Sequence, residues 1–284
     1  MIKSFFKDKL KVEIFETKEE MGQDSASFVA KILNQALKEK GYANVILGTG
    51  ASQYPLHDVL LNEKLDWGKI NLFHLDEYIG ITDQHPASFR KFLRERIARK
   101  VNPKNAFYLN GDAEDIDAEI KRYEKLLKEN PVDVACIGIG ENGHIAFNDP
   151  HVALFKDPEW VKTVTLDQKC RMQQVNDSCF ERIDQVPARA ITLTIPALMS
   201  AEYVFCVVPA RSKQRVVFDS VRGPVCETWP ASILRTHANA SLYLDCDSGK
   251  RLLFRRSVIT DEISQDPEKA AQLAKKYGLE ALEI

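Results

Sequence analysis

The segment from residue 134 to residue 150, VACIGIGENGHIAFNDP, holds a histidine and an aspartate five positions apart. His144 carries an imidazole, which gains and loses a proton near neutral pH and therefore suits general acid–base catalysis. Asp149 carries a carboxylate that would orient this ring if the chain between the two residues folds back in a turn. The pair predicts a proton-transfer loop at the end of an apolar strand.

The same segment places Gly138, Gly140 and Gly143 in the spacing G-x-G-x-x-G, a fingerprint of dinucleotide-binding loops. That fingerprint requires a helix to begin at the glycines, so that the helix N-terminus meets the pyrophosphate. Here residues 148–150 (Asn-Asp-Pro) follow almost at once, and they favour a turn and disfavour a helix. The sequence therefore predicts no nucleotide cofactor.

Two other predicted strand ends carry residues that suit chemistry. Asp76 follows the apolar run of NLFHLDEYIG and is a candidate base. In LGTGAS (47–52), free backbone N–H groups and the hydroxyls of Thr49 and Ser52 suit a phosphate, although a plain strand-to-helix turn is an alternative. Lys213, at the start of a predicted helix, is either the counter-charge for such a phosphate or a solvated lysine.

The elements that would position these residues alternate regularly between strand-like and helix-like segments. Thr17-x-x-Glu20 predicts a capping box at the start of a helix that ends at Gly41, and residues 69–78 (KINLFHLDEY) are expected to form one strand. This alternation of strand-like and helix-like segments predicts an α/β fold with a parallel sheet and helices on both faces. We expect one domain over residues 1–284, with a small excursion around 151–185. Because ligands bind at the carboxyl ends of such strands, the three strand ends should share one site.

Composition narrows the class of protein. Lys and Arg (39) nearly balance Asp and Glu (41), so bulk attraction to nucleic acid or to an anionic membrane is not expected. The first twenty residues show neither a signal peptide nor a membrane span. Six scattered cysteines without a C-x-x-C pair favour free thiols in a reducing cytoplasm over disulfides or a zinc site. The oligomeric state stays open, a homo-oligomer included.

The ordered motifs resemble those of the glucosamine-6-phosphate deaminase family over nearly the whole chain. LGTGAS is similar to the phosphate loop of that family, and NLFHLDEYIG to its F-N-x-D-E-Y-x-G strand end. HPASFRKFL follows at the expected distance, IGIGENGHIAFNDP is similar to G-x-G-x-[DN]-G-H-I-[AG]-F-N-E-P, and SKQR is similar to the segment with the phosphate-binding lysine.

This resemblance implies a Rossmann-like α/β fold without a nucleotide, shared with sugar-phosphate isomerases and 6-phosphogluconolactonases. It also implies conversion of glucosamine 6-phosphate to fructose 6-phosphate and ammonia with neither metal nor organic cofactor. His144 would open the sugar ring, Asn142 and Asp149 would orient and tune that histidine, and Asp76 would move a proton between C2 and C1. The implied phosphate site comprises Gly48, Thr49, Gly50, Ser52 and Lys213.

Four positions depart from the family pattern. Asp149 stands in place of the longer glutamate, and Asn142 stands where many members have aspartate. An ungapped match puts Gln174 at the position of the phosphate-binding arginine, with Arg171 three residues earlier as its candidate replacement. Trp160 occupies the position of a basic residue used by allosterically activated members, so such control is not expected.

Two other functions remain as alternatives. A 6-phosphogluconolactonase also has Gly-His in its signature, but AFNDP and LDEY favour the deaminase. A non-catalytic sugar-phosphate sensor would use the same fold, yet no DNA-binding module fits before residue 20, and both Asp76 and His144 are present. Ammonia release from glucosamine 6-phosphate would distinguish the three.

Overall fold

A computed structural model of the chain describes residues 1–253. The strands are β1 (Lys3–Lys7), β2 (Leu10–Phe15), β3 (Ala43–Leu47), β4 (Ile70–Phe73), β5 (Asp76–Tyr78), β6 (Asn105–Phe107), β7 (Val134–Ile137), β8 (Val161–Thr165), β9 (Arg189–Leu193), β10 (Tyr203–Val208) and β11 (Ala240–Asp245). The α-helices are α1 (Lys18–Lys40), α2 (Tyr54–Leu60), α3 (Phe89–Leu93), α4 (Arg99–Val101), α5 (Ile116–Glu129), α6 (Gln168–Asn176), α7 (Ile195–Met199), α8 (Gln214–Arg222) and α9 (Lys250–Leu253). A π-helical turn over Arg94–Ala98 joins α3 to α4.

The main sheet has eight strands in the order β1-β2-β11-β10-β7-β3-β4-β6, and all neighbours run parallel except β1 and β2. Strands β3 and β7 are buried along their whole length, as expected for apolar parallel strands covered on both faces. Ile46 and Ile137 pack in the core layer beneath α5 and α8, whereas Val45 and Cys136 pack in the layer beneath α1 and α2. The predicted parallel sheet with helices on both faces is confirmed.

A second, smaller sheet of three antiparallel strands in the order β5-β9-β8 corrects one prediction. Residues 69–78 are not one strand, because the chain leaves the main sheet after Phe73. The backbone N–H of His74 donates to the carbonyl of Phe107, and Asp76 then pairs with Thr192 of β9. Part of the expected excursion, β8, completes this sheet.

Helix ends follow the sequence signals. The Thr17 hydroxyl accepts a hydrogen bond from the N–H of Glu20 and begins α1, which ends at Gly41 with φ of 78°. Asp167 begins α6 in the same way, since its carboxylate accepts from the N–H of Cys170 at 2.6 Å.

The carboxyl ends of β3, β7 and β10 border a cavity of about 1410 Å³, which β5 of the small sheet also reaches. This is the edge at which parallel α/β sheets bind ligands. The expected single domain extends to residue 284, but residues 254–284 lie outside the described part of the chain. No helix within residues 1–253 has the length and apolar character needed to cross a membrane.

Candidate active site

The structure brings most of the predicted site residues together around this cavity. Its lining includes Gly48, Thr49, Gly50, Ser52, Asp76, His144 and Lys213. Asn142 and Asp149 lie behind His144, where both are buried. The three strand ends singled out from the sequence therefore converge.

His144 is held in a tight loop after β7. The backbone N–H of Gly140 donates to the carbonyl of His144 at 2.9 Å, and the N–H of Gly143 donates to the carbonyl of Gly140 at 3.0 Å. The imidazole lies directly on Gly140, since a Cβ atom there would be 2.1 Å from Cε1 and 2.2 Å from Nε2 of His144. The His144 ring can lie this close to the backbone only because residue 140 is a glycine without a Cβ atom. No helix follows the glycines, as the rejection of the dinucleotide fingerprint predicted.

Two oxygen atoms face Nδ1 of His144. The side-chain oxygen Oδ1 of Asn142 lies at 2.7 Å and Oδ1 of Asp149 at 3.0 Å. Because both facing atoms accept hydrogen bonds, Nδ1 carries a hydrogen, and in the neutral ring Nε2 is then the basic nitrogen. Nε2 has no hydrogen-bond partner among residues 1–253, so it is the nitrogen available to a ligand.

Asp149 is fully buried and accepts hydrogen bonds on both carboxylate oxygens. Asn142 Nδ2 donates to Oδ1 at 2.8 Å, and the backbone N–H of Asp167 donates to Oδ2 at 2.9 Å. Burial raises the pKa of Asp149, but the hydrogen bonds and charge of His144 and the bonds from Asn142 and Asp167 outweigh it and hold the pKa below its usual value. The carboxylate is therefore ionised at neutral pH. The shorter aspartate still reaches the ring.

Asp76 lies on the wall of the cavity with 5% of its surface exposed. Its Oδ1 is buried without a hydrogen-bond partner among the described residues. Burial, and secondarily the charge of Glu77, raise the pKa of Asp76 well above its usual value. A carboxylate in this environment is a stronger base than one in water, and an aspartate in such a place is a candidate catalytic base.

Strand β9 connects Asp76 to the histidine loop. Thr192, the pairing partner of Asp76, accepts a hydrogen bond on Oγ1 from the N–H of Phe147 at 3.0 Å. Asn148 Nδ2 donates to the carbonyl of Leu193 at 2.9 Å. The small sheet thereby fixes the base and the histidine loop relative to one another.

The opposite end of the cavity suits an anion. In the loop after β3, the backbone N–H groups of Thr49 and Gly50 donate to no acceptor within residues 1–253. Lys213, 6% exposed, ends a 3-10 turn before α8 and makes no ion pair among those residues. Burial lowers its pKa, and the negative charges of Glu141 and Asp177 act in the opposite direction. An unpaired buried ammonium facing a cavity is a site for an anionic group.

The structure does not bring Arg171 to this place. Its Nη2 donates to the carbonyls of Ile183 at 2.7 Å and Val186 at 2.9 Å, so the guanidinium ties α6 to the following turn. Gln174, which is buried, lines the cavity instead. The contacts of Arg171 do not support the expected role in a phosphate site. Glu141 and Asp177, whose negative charges act on Lys213, also line the cavity.

Asp167 belongs to the site as well, although no sequence motif indicates it. This residue contacts Asn142, Asp149 and Cys170 at once, behind the histidine. From the sequence it reads as an ordinary N-cap aspartate, because its link to Asn142 spans 25 positions and follows only from the folded loop.

Within residues 1–253, two groups of side chains have donor atoms close enough for a metal ion. The ligand atoms of His144, Asp149 and Cys170, and those of Asp149, His151 and Asp167, lie within 4.8 Å of one another. Both groups depend on Asp149, whose oxygens already accept hydrogen bonds from Asn142 and from the Asp167 backbone. We therefore assign these atoms to the hydrogen-bond network around His144.

This combination of fold and site places the chain in a class of sugar-phosphate enzymes. The chain belongs to the family described as glucosamine-6-phosphate isomerases/6-phosphogluconolactonase, whose model matches residues 16–243. The family membership predicted from the motifs is confirmed.

Within this family, several relatives are glucosamine-6-phosphate deaminases. The enzyme of Lactobacillus delbrueckii subsp. bulgaricus is 31% identical over 236 residues, which cover 83% of this chain and 97% of that protein. The enzyme of Streptococcus equi subsp. equi is 33% identical over 218 residues, covering 76% of this chain and 91% of that protein.

Solved structures agree. A monomeric glucosamine-6-phosphate deaminase superposes with a TM-score of 0.77 at 30% identity, covering 84% of this chain and 98% of its own. A protein of Neisseria gonorrhoeae described as a putative 6-phosphogluconolactonase superposes with a TM-score of 0.65 at 21% identity. The superposition covers 82% of this chain and 98% of that chain, and at this identity it supports the fold alone.

Proposed function

We propose that this protein is a glucosamine-6-phosphate deaminase, which converts glucosamine 6-phosphate and water to fructose 6-phosphate and ammonia. The observation that carries the proposal is one cavity bordered by Asp76, by Nε2 of an oriented His144 and by Lys213, which makes no ion pair with residues 1–253. The deaminase relatives, which align over most of their length, support the same reaction.

His144 acts in ring opening. With Nδ1 hydrogen-bonded to Asn142 and Asp149, Nε2 takes the proton of the sugar O1 hydroxyl and delivers a proton to the ring oxygen as the C1–O5 bond breaks. Asp149 stays ionised and stabilises the imidazolium that forms in between. The open chain then carries an aldehyde at C1 and an amine at C2.

Asp76 acts in the isomerisation that follows. Its carboxylate removes the C2 proton as O1 is protonated, which gives an enolamine. It then returns a proton to C1 as the nitrogen gives one up, which leaves an imine at C2. Water adds to this imine and ammonia leaves, so that the ketone of fructose 6-phosphate forms. Poor solvation of Asp76 favours removal of the C2 proton, because its proton affinity is raised. The return of a proton is driven instead by the basic C1 carbon of the enolamine.

The phosphate end is formed by the 48–52 loop and Lys213. The unpaired N–H groups and the hydroxyls of Thr49 and Ser52 donate to phosphate oxygens, and Lys213 supplies the charge. Arg171 is left out of this site because its guanidinium is engaged elsewhere. We also propose a cytoplasmic location, which the free state of all six cysteines supports.

The test is an assay of the purified full chain with glucosamine 6-phosphate, in which ammonia and fructose 6-phosphate are measured separately. We expect both products in equal amounts, and formation of both about 10²–10⁴-fold slower with Asp76→Asn. Hydrolysis of 6-phosphogluconolactone without ammonia release would favour the lactonase, and binding without turnover of either compound would favour a sensor.

A further inference from the structure

Asp167 uses both of its carboxylate oxygens. Oδ1 accepts from the N–H of Cys170 at 2.6 Å and begins α6, while Oδ2 accepts from Asn142 Nδ2 at 2.7 Å. Its own backbone N–H donates to Asp149 Oδ2 at 2.9 Å. A helix cap requires only the first of these three bonds.

The second bond decides how the Asn142 amide is oriented. Asn142 Nδ2 donates one hydrogen to Asp167 and the other to Asp149 Oδ1, so its nitrogen is fixed between two carboxylates. Its oxygen must then point the other way, where it accepts from the backbone N–H of His144 at 3.1 Å and faces the ring nitrogen Nδ1. An amide turned by 180° would present a donor to Nδ1 instead.

We propose that Asp167 is a positioning residue for the reaction. Through Asn142 it fixes the hydrogen of the neutral His144 ring on Nδ1 and leaves Nε2 free to accept a proton from the substrate. The kinetic part of this proposal rests on the proposed deaminase function, whereas the position of the ring hydrogen does not.

Asp167→Asn is the discriminating variant. Asparagine caps a helix about as well as aspartate, so Oδ1 can still accept from Cys170 and α6 should begin as before. The new Nδ2 group then faces Asn142 Nδ2, and two donors repel. If Asp167 acted only as a helix cap, this variant would resemble the wild type.

The matched control is Asp115→Asn. Asp115 begins α5, and among residues 1–253 its carboxylate accepts only from the N–H of Ala118 at 2.9 Å and makes no bond to the histidine loop. This variant makes the same chemical change at a helix N-cap outside the cavity lining.

Two measurements test the proposal on the purified full chain. ¹⁵N NMR of the histidine rings, with the His144 signals assigned by their loss in His144→Gln, reports the tautomer without any substrate. We expect the Nδ1–H form in wild type and Asp115→Asn, and a larger Nε2–H fraction in Asp167→Asn. Steady-state kinetics should show kcat about 10-fold lower in Asp167→Asn, with KM within about 3-fold of wild type.

The proposal is overturned if Asp167→Asn keeps both the wild-type ring signals and the wild-type kcat. If no protein releases ammonia but the tautomer shifts as expected, the positioning role stands and the deaminase function fails. If the tautomer is unchanged while kcat falls in Asp167→Asn, Asp167 does not set the position of the ring hydrogen, and the proposal also fails.

Discussion

At the scale of single residues, Asp76 combines two opposed properties. A buried carboxylate whose Oδ1 has no partner among residues 1–253 is unfavourable for folding, because its charged form is poorly solvated. The same poor solvation makes it a strong base at the cavity wall. A residue kept at a cost to stability is a signature of function, and both sides can be measured.

Asp76→Asn should reduce turnover by about 10²–10⁴-fold while leaving sugar-phosphate binding largely intact. The amide keeps the shape of the side chain but removes the base. Fructose 6-phosphate binding, followed by calorimetry, should stay close to wild type. A variant that turns over at a near wild-type rate would exclude Asp76 as the base.

The same variant should be more stable than wild type at pH 8, by about 2–5 °C in melting temperature. The unfolded chain releases the Asp76 proton near the usual value of 3.8, whereas the folded protein holds it to higher pH. The bound proton therefore contributes fully to the free energy of unfolding of the wild type below pH 3.8, the pKa of Asp76 in the unfolded chain. This contribution is lost as the pH rises through the higher pKa of the folded protein. Melting curves from pH 4 to pH 8 should show the gap between the two proteins widening; a constant gap would contradict the raised pKa.

Charge at the anion end gives a second prediction. Lys213→Met should raise KM for glucosamine 6-phosphate by at least about 10-fold with a smaller effect on kcat, since a phosphate contact supplies mainly uniform binding. Asp177→Asn should lower KM, because one of the negative charges acting on Lys213 is removed. Lys121→Met, on an exposed turn of α5, is the control. Equal KM values in the wild type and the three variants would show that the substrate phosphate does not bind at Lys213.

At the scale of elements, the loop after β7 depends on the absence of a side chain at Gly140. Gly140→Ala should lower kcat by at least about 10-fold, because the added Cβ would overlap the imidazole and displace it. Gly68→Ala is the control, as its Cβ would meet only Asp66 Oδ1 at 3.5 Å on an exposed turn. Two variants with equal kcat would show that the ring position is not critical.

Strands and helices of the main sheet could be predicted because their signals are local. The N-cap at Thr17, the glycine that ends α1 and the apolar run of β7 are each local signals for the element that they form. The break after Phe73 could not be predicted, since the apolar pattern continues through it. Asp76 joins β9, a strand more than a hundred positions away, and no local residue announces that pairing.

In the candidate site, too, some residues could be predicted from local signals and others depend on the folded structure. His144, Asp149, Asp76 and the 48–52 loop could be found because their residue types stand at strand ends. The separation of Arg171 from the cavity and the role of Asp167 depend on which way side chains of α6 point after folding. A sequence gives the helix but not its rotation against the loop.

At the scale of the whole molecule, the site joins the two sheets and should couple ligand binding to stability. If inorganic phosphate binds the folded protein at Lys213 and the 48–52 loop, as proposed, it should raise the melting temperature, and the rise should grow with the logarithm of phosphate concentration above Kd. Lys213→Met should lose most of this shift. NAD should produce none, since no helix follows Gly143 to receive a pyrophosphate. Stabilisation by NAD alone would contradict the assignment of the cavity.

The most direct test of the central claim is to follow glucosamine 6-phosphate by ¹H and ¹³C NMR in D₂O with the purified full chain. If Asp76 and His144 act as proposed, the sugar is converted to fructose 6-phosphate, and ammonia appears in equal amount. Asp76→Asn should leave the sugar unchanged. A wild-type protein that binds glucosamine 6-phosphate but neither forms fructose 6-phosphate nor releases ammonia would contradict the proposed function.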